Sequence, residues 1–142
     1  MITVKEIYAE CIVLHKDSAL GTFVLLVKSP GEKWFFPRDK LLAGETVEAC
    51  ALRALREKTG VNAVLKKKVE DRIYWYSNKT KTGNPVRILK KIYFFLFEFV
   101  PSRATSNLNI AHAEWISADE ALFMLSNEGE KNTLKKCLAP GK

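Results

Sequence analysis

Residues 46–60, TVEACALRALREKTG, carry a self-contained helix signal. Thr46 is a natural N-cap, because its hydroxyl can accept from a free backbone N–H of the first turn. Val47, Cys50, Ala51, Ala54 and Leu55 recur at the spacing of one apolar helix face. Gly60 stands where a left-handed stop is expected. The segments on either side are β-rich, so the chain can be neither an all-α bundle nor an all-β sandwich.

The flanking pattern sets the rest of the fold. EIYAECIVLHKD and GTFVLLVKSP are β-rich runs separated by SALG, which predicts a hairpin. SPGEKWFFP is loop punctuation around a short aromatic strand. VNAVLKKKVEDRIYWYS and VRILKKIYFFLFEFV are β-branched and aromatic runs on either side of NKTKTGNP, so they are predicted to pair as a second hairpin. AEWIS reads as a last strand, and ADEALFMLS and EKNTLKKCLA read as C-terminal helices. The predicted class is α+β: a mixed sheet between helices in one layered domain spanning residues 1–142.

Composition narrows the class of partner. Lysine and arginine number 23 against 16 acids, giving a net charge of +7 that favours nucleotides, polyphosphates, RNA or an acidic protein surface. Cys11, Cys50 and Cys137 are far apart with no CxxC spacing, which argues against disulfides and structural zinc and for a reducing cytoplasm. The N-terminus is charged within six residues, unlike a signal peptide, and the run IYFFLFEFV is interrupted by Glu98 and too short to span a bilayer. His15 and His112 are isolated, so no nucleophilic triad is indicated.

From Trp34 to Val61 the chain reads WFFPRDKLLAGETVEACALRALREKTGV. This resembles the Nudix box, G-x(5)-E-x(7)-R-E-U-x-E-E-x-G-U, where U is a bulky aliphatic residue. Glu45, Arg53, Leu55, Glu57, Gly60 and Val61 match at the required spacing. Asp39 stands at the opening glycine, Ala54 at the glutamate after the arginine and Lys58 at the second glutamate of the pair. The remaining strands and helices are similar in outline to bacterial-type diadenosine tetraphosphate hydrolases of the family.

The resemblance implies a Nudix α/β/α sandwich that hydrolyses nucleoside-linked pyrophosphates with Mg2+ or Mn2+. Hard cations need carboxylate oxygens. A typical member supplies three glutamates at the places held here by Ala54, Glu57 and Lys58, whose formal charges sum to zero. An ammonium 4 Å from a cation costs about 1 to 4 kcal/mol, depending on the dielectric. The acid that many members draw from the loop before the last strand is also replaced, since six residues before Trp115 stands Asn109. Glu57 is therefore the single box acid left for catalysis and metal, while Glu45, Arg53 and Gly60 keep the box architecture.

The expected function is a Nudix-fold binder of nucleotides or dinucleoside polyphosphates with weak or lost hydrolysis. Two alternatives stay open: an active metal-dependent hydrolase with an unusual site, and an RNA-binding or protein-interaction domain. Arg38, Lys58 and Lys90 are the candidate phosphate ligands, lysine acting as a point charge. Tyr74, Tyr76 and Tyr93 are the candidate base-stacking residues. Tyr74 and Tyr76 share one strand face and Trp75 the other. Each has a plainer reading, as a dipole-favoured helix end, a cross-strand pair or a charged strand edge.

Overall fold

A computed structural model describes residues 2–99, 101 and 112–139. The elements are β1 (Ile2–Asp17), β2 (Gly21–Lys28), β3 (Trp34–Phe35), β4 (Arg38–Lys40), α1 (Val47–Thr59), β5 (Val64–Lys79), β6 (Pro85–Glu98), β7 (Ala113–Ser117), α2 (Ala118–Met124) and α3 (Glu128–Leu138). Both predicted hairpins form, β1–β2 and β5–β6. The seven strands make one mixed sheet of order β3-β2-β1-β6-β5, with β4 also paired to β1 and β7 to β2. β1 and β6 are the parallel pair, in register from Ile2 with Val86 to Leu14 with Glu98. Along its other edge β1 meets two partners in turn: β4 through Tyr8 to Glu10, then β2 through Leu14 to Asp17.

Strand alternation explains the layers. Ala9, Cys11, Val13, Leu25, Phe95 and Phe97 point to one face, where Cys50, Ala51 and Leu55 of α1 cover them. Ile12, Leu14, Val24, Leu26, Ile92 and Phe94 point to the other, under Ala121, Leu125 and Leu134 from α2 and α3. The result is helices on both faces of a mixed sheet, as expected. Cys11 and Cys50 are buried free thiols and pack as small apolar groups. Among the described residues no helix is long and apolar enough to cross a membrane.

The caps of α1 are as read. The Thr46 hydroxyl accepts from the Ala49 N–H at 3.1 Å, and Gly60 closes the helix at φ +74 with its N–H on the Arg56 carbonyl. A side chain at that φ is strained by roughly 1–2 kcal/mol. Gly60→Ala is therefore expected to lower unfolding free energy by about 1 kcal/mol in a urea titration, with an unchanged m-value.

Candidate functional site

The loop between β4 and α1 is organised by one guanidinium. Arg53 donates to both oxygens of Glu45, from Nε at 2.7 Å and Nη2 at 2.9 Å. Its Nη1 donates to Asp39 at 2.7 Å and to Glu57 at 3.2 Å, and its Nη2 reaches the Lys40 carbonyl at 3.0 Å. Glu45 in turn accepts from the Leu42 N–H at 3.1 Å. The Arg53 hydrogen bonds hold the Glu45 carboxyl down at about 2. Burial pushes the Asp39 carboxyl up, but Arg53, the Lys40 N–H and the charge of Lys58 outweigh it, and the net shift is downward. Sequence reading treats Asp39 only as a missing glycine; its position on β4, opposite Ala9, aims it at α1. An acid fourteen residues before a central arginine is a signal that could have marked it.

This arrangement does not fit a divalent cation held as the resemblance implies. Asp39, Glu45 and Glu57 are each paired with Arg53, and Glu57 is the only carboxylate at the three box positions. Ala54 is fully buried rather than lying on the exposed edge with Glu57 and Lys58. Among the described residues no three histidines, cysteines or acids form a metal-holding group. Asn109 lies outside the described residues.

A second feature lies across the sheet. β4 sets Arg38 opposite Glu10, and β6 sets Lys90 between Glu6 and Tyr74. With the N-terminal end of α3 they enclose a cavity of about 300 Å³ lined by Glu10, Arg38, Tyr74, Tyr76, Lys90 and Glu130. Arg38 contacts Glu10 at 3.4 Å and stacks on Phe35 at 4.5 Å. Lys90 sits 4.5 Å over the Tyr8 ring, and burial, followed by the charge of Arg38, lowers its pKa. Trp75 borders the cavity too, but its ring lies under Arg87 at 4.2 Å, a residue of the opposite strand face.

Four of the seven residues expected to hold phosphate, base or metal meet there: Arg38, Lys90, Tyr74 and Tyr76. Lys58 does not. It borders a separate hollow with Phe35, Pro37 and Arg38, so Arg38 is the residue shared by the two. Glu57 is on the α1 side, half exposed and engaged by Arg53. Tyr93 is a correction: it pairs with Asp71, on the face opposite Tyr74 and Tyr76, between Lys68 at 5.4 Å and Lys91 at 5.0 Å. A base stacked on Tyr74 cannot reach it.

Glu10 and Glu130 were not foreseen. Both are almost fully buried, and each has a buried carboxyl oxygen without a hydrogen-bonding partner in the protein. Burial, then hydrogen bonding to Glu10 and its charge, push the Glu130 carboxyl up to about 9. Burial beside Glu10 therefore holds Glu130 in its protonated form at neutral pH. Glu10 was visible as an acid inside the apolar run YAECIVL; Glu130 gave no signal in a charged helix start. Below them, α3 is fastened to β5 by Arg72, which donates to Glu70 at 2.8 Å and Thr133 at 2.9 Å, and by Thr133 and Lys136 donating to Glu70. A Cβ at Gly129 would stand 2.8 Å from Arg72 Nη1 and 2.9 Å from the Tyr74 hydroxyl, so those side-chain ends would have to shift.

A capped helix joined to its preceding loop by an arginine–glutamate pair, inside a mixed sheet covered on both faces, defines a Nudix-type protein. The NUDIX domain family matches residues 7–137, and the chain belongs to that family. Members generally use divalent metal cations. Among solved structures, a Caenorhabditis elegans Ap4A hydrolase in a binary complex superposes with a TM-score of 0.71 at 19% identity, over 94% of this chain and 96% of that one. A mutator MutT protein from Bacillus halodurans superposes at 0.61 with 25% identity, over 95% of this chain and 83% of that one. A NUDIX hydrolase from Nitrosomonas europaea gives 0.61 at 17% identity, over 96% and 90%. No curated protein matches the chain.

Proposed function

We propose that residues 1–142 form one NUDIX domain that binds a nucleotide or dinucleoside polyphosphate without depending on metal, its hydrolysis weak or lost. The observation that carries this reading is the division of charge. Asp39, Glu45 and Glu57 are committed to Arg53, while Arg38 and Lys90 converge with Tyr74 and Tyr76 in one cavity. Cations in a partly enclosed site suit phosphate oxygens, and a tyrosine face suits a base. The likeness to proteins named Ap4A hydrolases favours the dinucleoside class.

The test is calorimetric titration of diadenosine tetraphosphate and ATP into the protein in chelator, then in magnesium. Binding in chelator is expected, with little added by the metal. Lys90→Ala is expected to weaken it roughly 10- to 100-fold, the worth of one hydrogen bond to a charged group. Release of phosphate or mononucleotides in Mg2+ or Mn2+, abolished by Glu57→Gln, would establish the alternative, an active hydrolase with an unusual metal site.

A further inference from the structure

On the odd-numbered face of the β1–β6–β5 ribbon only Trp75 borders the cavity. The register of that face lays rows across three strands: Lys5, Leu89 and Trp75; then Ile7, Lys91 and Ile73; then Ala9, Tyr93 and Asp71. α1 covers the rows from Ala9 and Cys11 onward, against Phe95. Beyond it Ile73 and Trp75 are each 52% exposed, which is unusual for side chains of that size in neighbouring rows.

The charges left without an ion pair here are all positive. Lys5, Arg87 and Lys91 enter no ion pair among the described residues. The acid in these rows, Asp71, is taken by Lys68 at 3.2 Å. Arg87 lies 4.2 Å over the Trp75 ring, and Lys91 lies 5.0 Å from the centre of Tyr93. An exposed indole with a guanidinium at its face, beside further cations on the same strand face, has the elements that stack bases and hold the phosphates between them. A guanidinium plane itself stacks on a base.

We propose that this face binds single-stranded nucleic acid, with Trp75 as the stacking platform and Lys5, Arg87 and Lys91 as phosphate contacts. From Arg87 to Tyr93 the strand runs about 20 Å, room for a segment near the short end of such sites, roughly 4 nucleotides. Stacking and charge carry no base code, so affinity tolerates changes of sequence. This inference is independent of the nucleotide reading, because the two faces share no phosphate ligand.

Fluorescence anisotropy of a labelled short oligo(U), titrated with the whole chain at several salt concentrations, tests it. Three phosphate contacts predict a slope of log affinity on log salt near −2, from about −0.7 each. Arg87→Glu with Lys91→Glu is expected to abolish binding while ATP binding in the cavity persists. Trp75→Ala is expected to weaken oligo(U) roughly 5- to 150-fold, and Trp75→Phe to retain most of it. The proposal fails if oligo(U) does not bind, or binds without salt dependence, or survives the double charge reversal. It also fails if Lys90→Ala removes oligo(U) binding or ATP displaces the strand, which would put the strand in the cavity. Poly-glutamate binding as tightly as oligo(U) would make the face a site for acidic proteins. A dimer in sedimentation that Trp75→Ala dissociates would make it a self-association surface.

Discussion

Arg53→Met is expected to cost about 3 kcal/mol of unfolding free energy, seen as a melting temperature lower by roughly 10 °C. Methionine keeps most of the stem volume, so the loss isolates the charge. The guanidinium is mostly buried and serves Asp39, Glu45, Glu57 and the Lys40 carbonyl together. Without it, Asp39 and Glu45 are left as unpaired, partly buried carboxylates on neighbouring strand and loop, and removing one partner of such a pair is costly. The pH dependence gives the mechanism. Native Glu45 titrates near 2 and Asp39 below its ordinary value, both under the unfolded range. Their contribution is present above about pH 4.5 and is lost as pH falls through the native values. The wild-type and variant stability curves should therefore converge on acidification toward pH 2. A variant that melts with the wild type at pH 7 would remove Arg53 from its role as organiser of the loop.

Glu130→Gln is expected to stabilise the protein at pH 8, seen as a higher melting temperature than the wild type. In the native state Glu130 holds its proton up to about pH 9, while an unfolded glutamate releases it near 4.5. Between those values the unfolded chain binds fewer protons, so wild-type stability falls as pH rises. Glutamine imitates the protonated form, donates to Glu10 and removes the dependence. The wild-type and variant curves should meet below about pH 4.5 and separate above it. A flat wild-type curve from pH 5 to 8.5 would show that the two carboxyls do not share a proton.

Much of the fold was legible because its signals are local. The α1 caps, the SALG and NKTKTGNP turns and the alternating strands each reside within a few residues. The box architecture was legible because Glu45 and Arg53 are eight residues apart across one loop and two helix turns. The cavity was legible only in part. Arg38, Lys90, Tyr74 and Tyr76 were named singly, but the β1–β4 and β5–β6 registers bring them together. Tyr93 shows the limit: had β6 slipped by one residue against β5, it would turn onto the face of Tyr74. Ala54 was legible as part of the apolar helix face and is buried there, while Glu57 and Lys58 stay exposed. The Glu10–Glu130 contact joins two elements 120 residues apart, and nothing in either neighbourhood announces the other.

The parallel pairing of β1 with β6 has a consequence for how the chain is made. Ile2 pairs with Val86, so that ladder joins residues 84 apart in the chain. At ordinary elongation rates the ribosome adds that length in about 4 to 17 s. During that interval β4 and β2 can already close one edge of β1, because both are complete by Lys40. The unpaired backbone groups along its other edge wait for β6 to emerge. That open edge is where a nascent chain would be held by a chaperone, and a codon-level slowdown between residues 64 and 84 would lengthen its exposure.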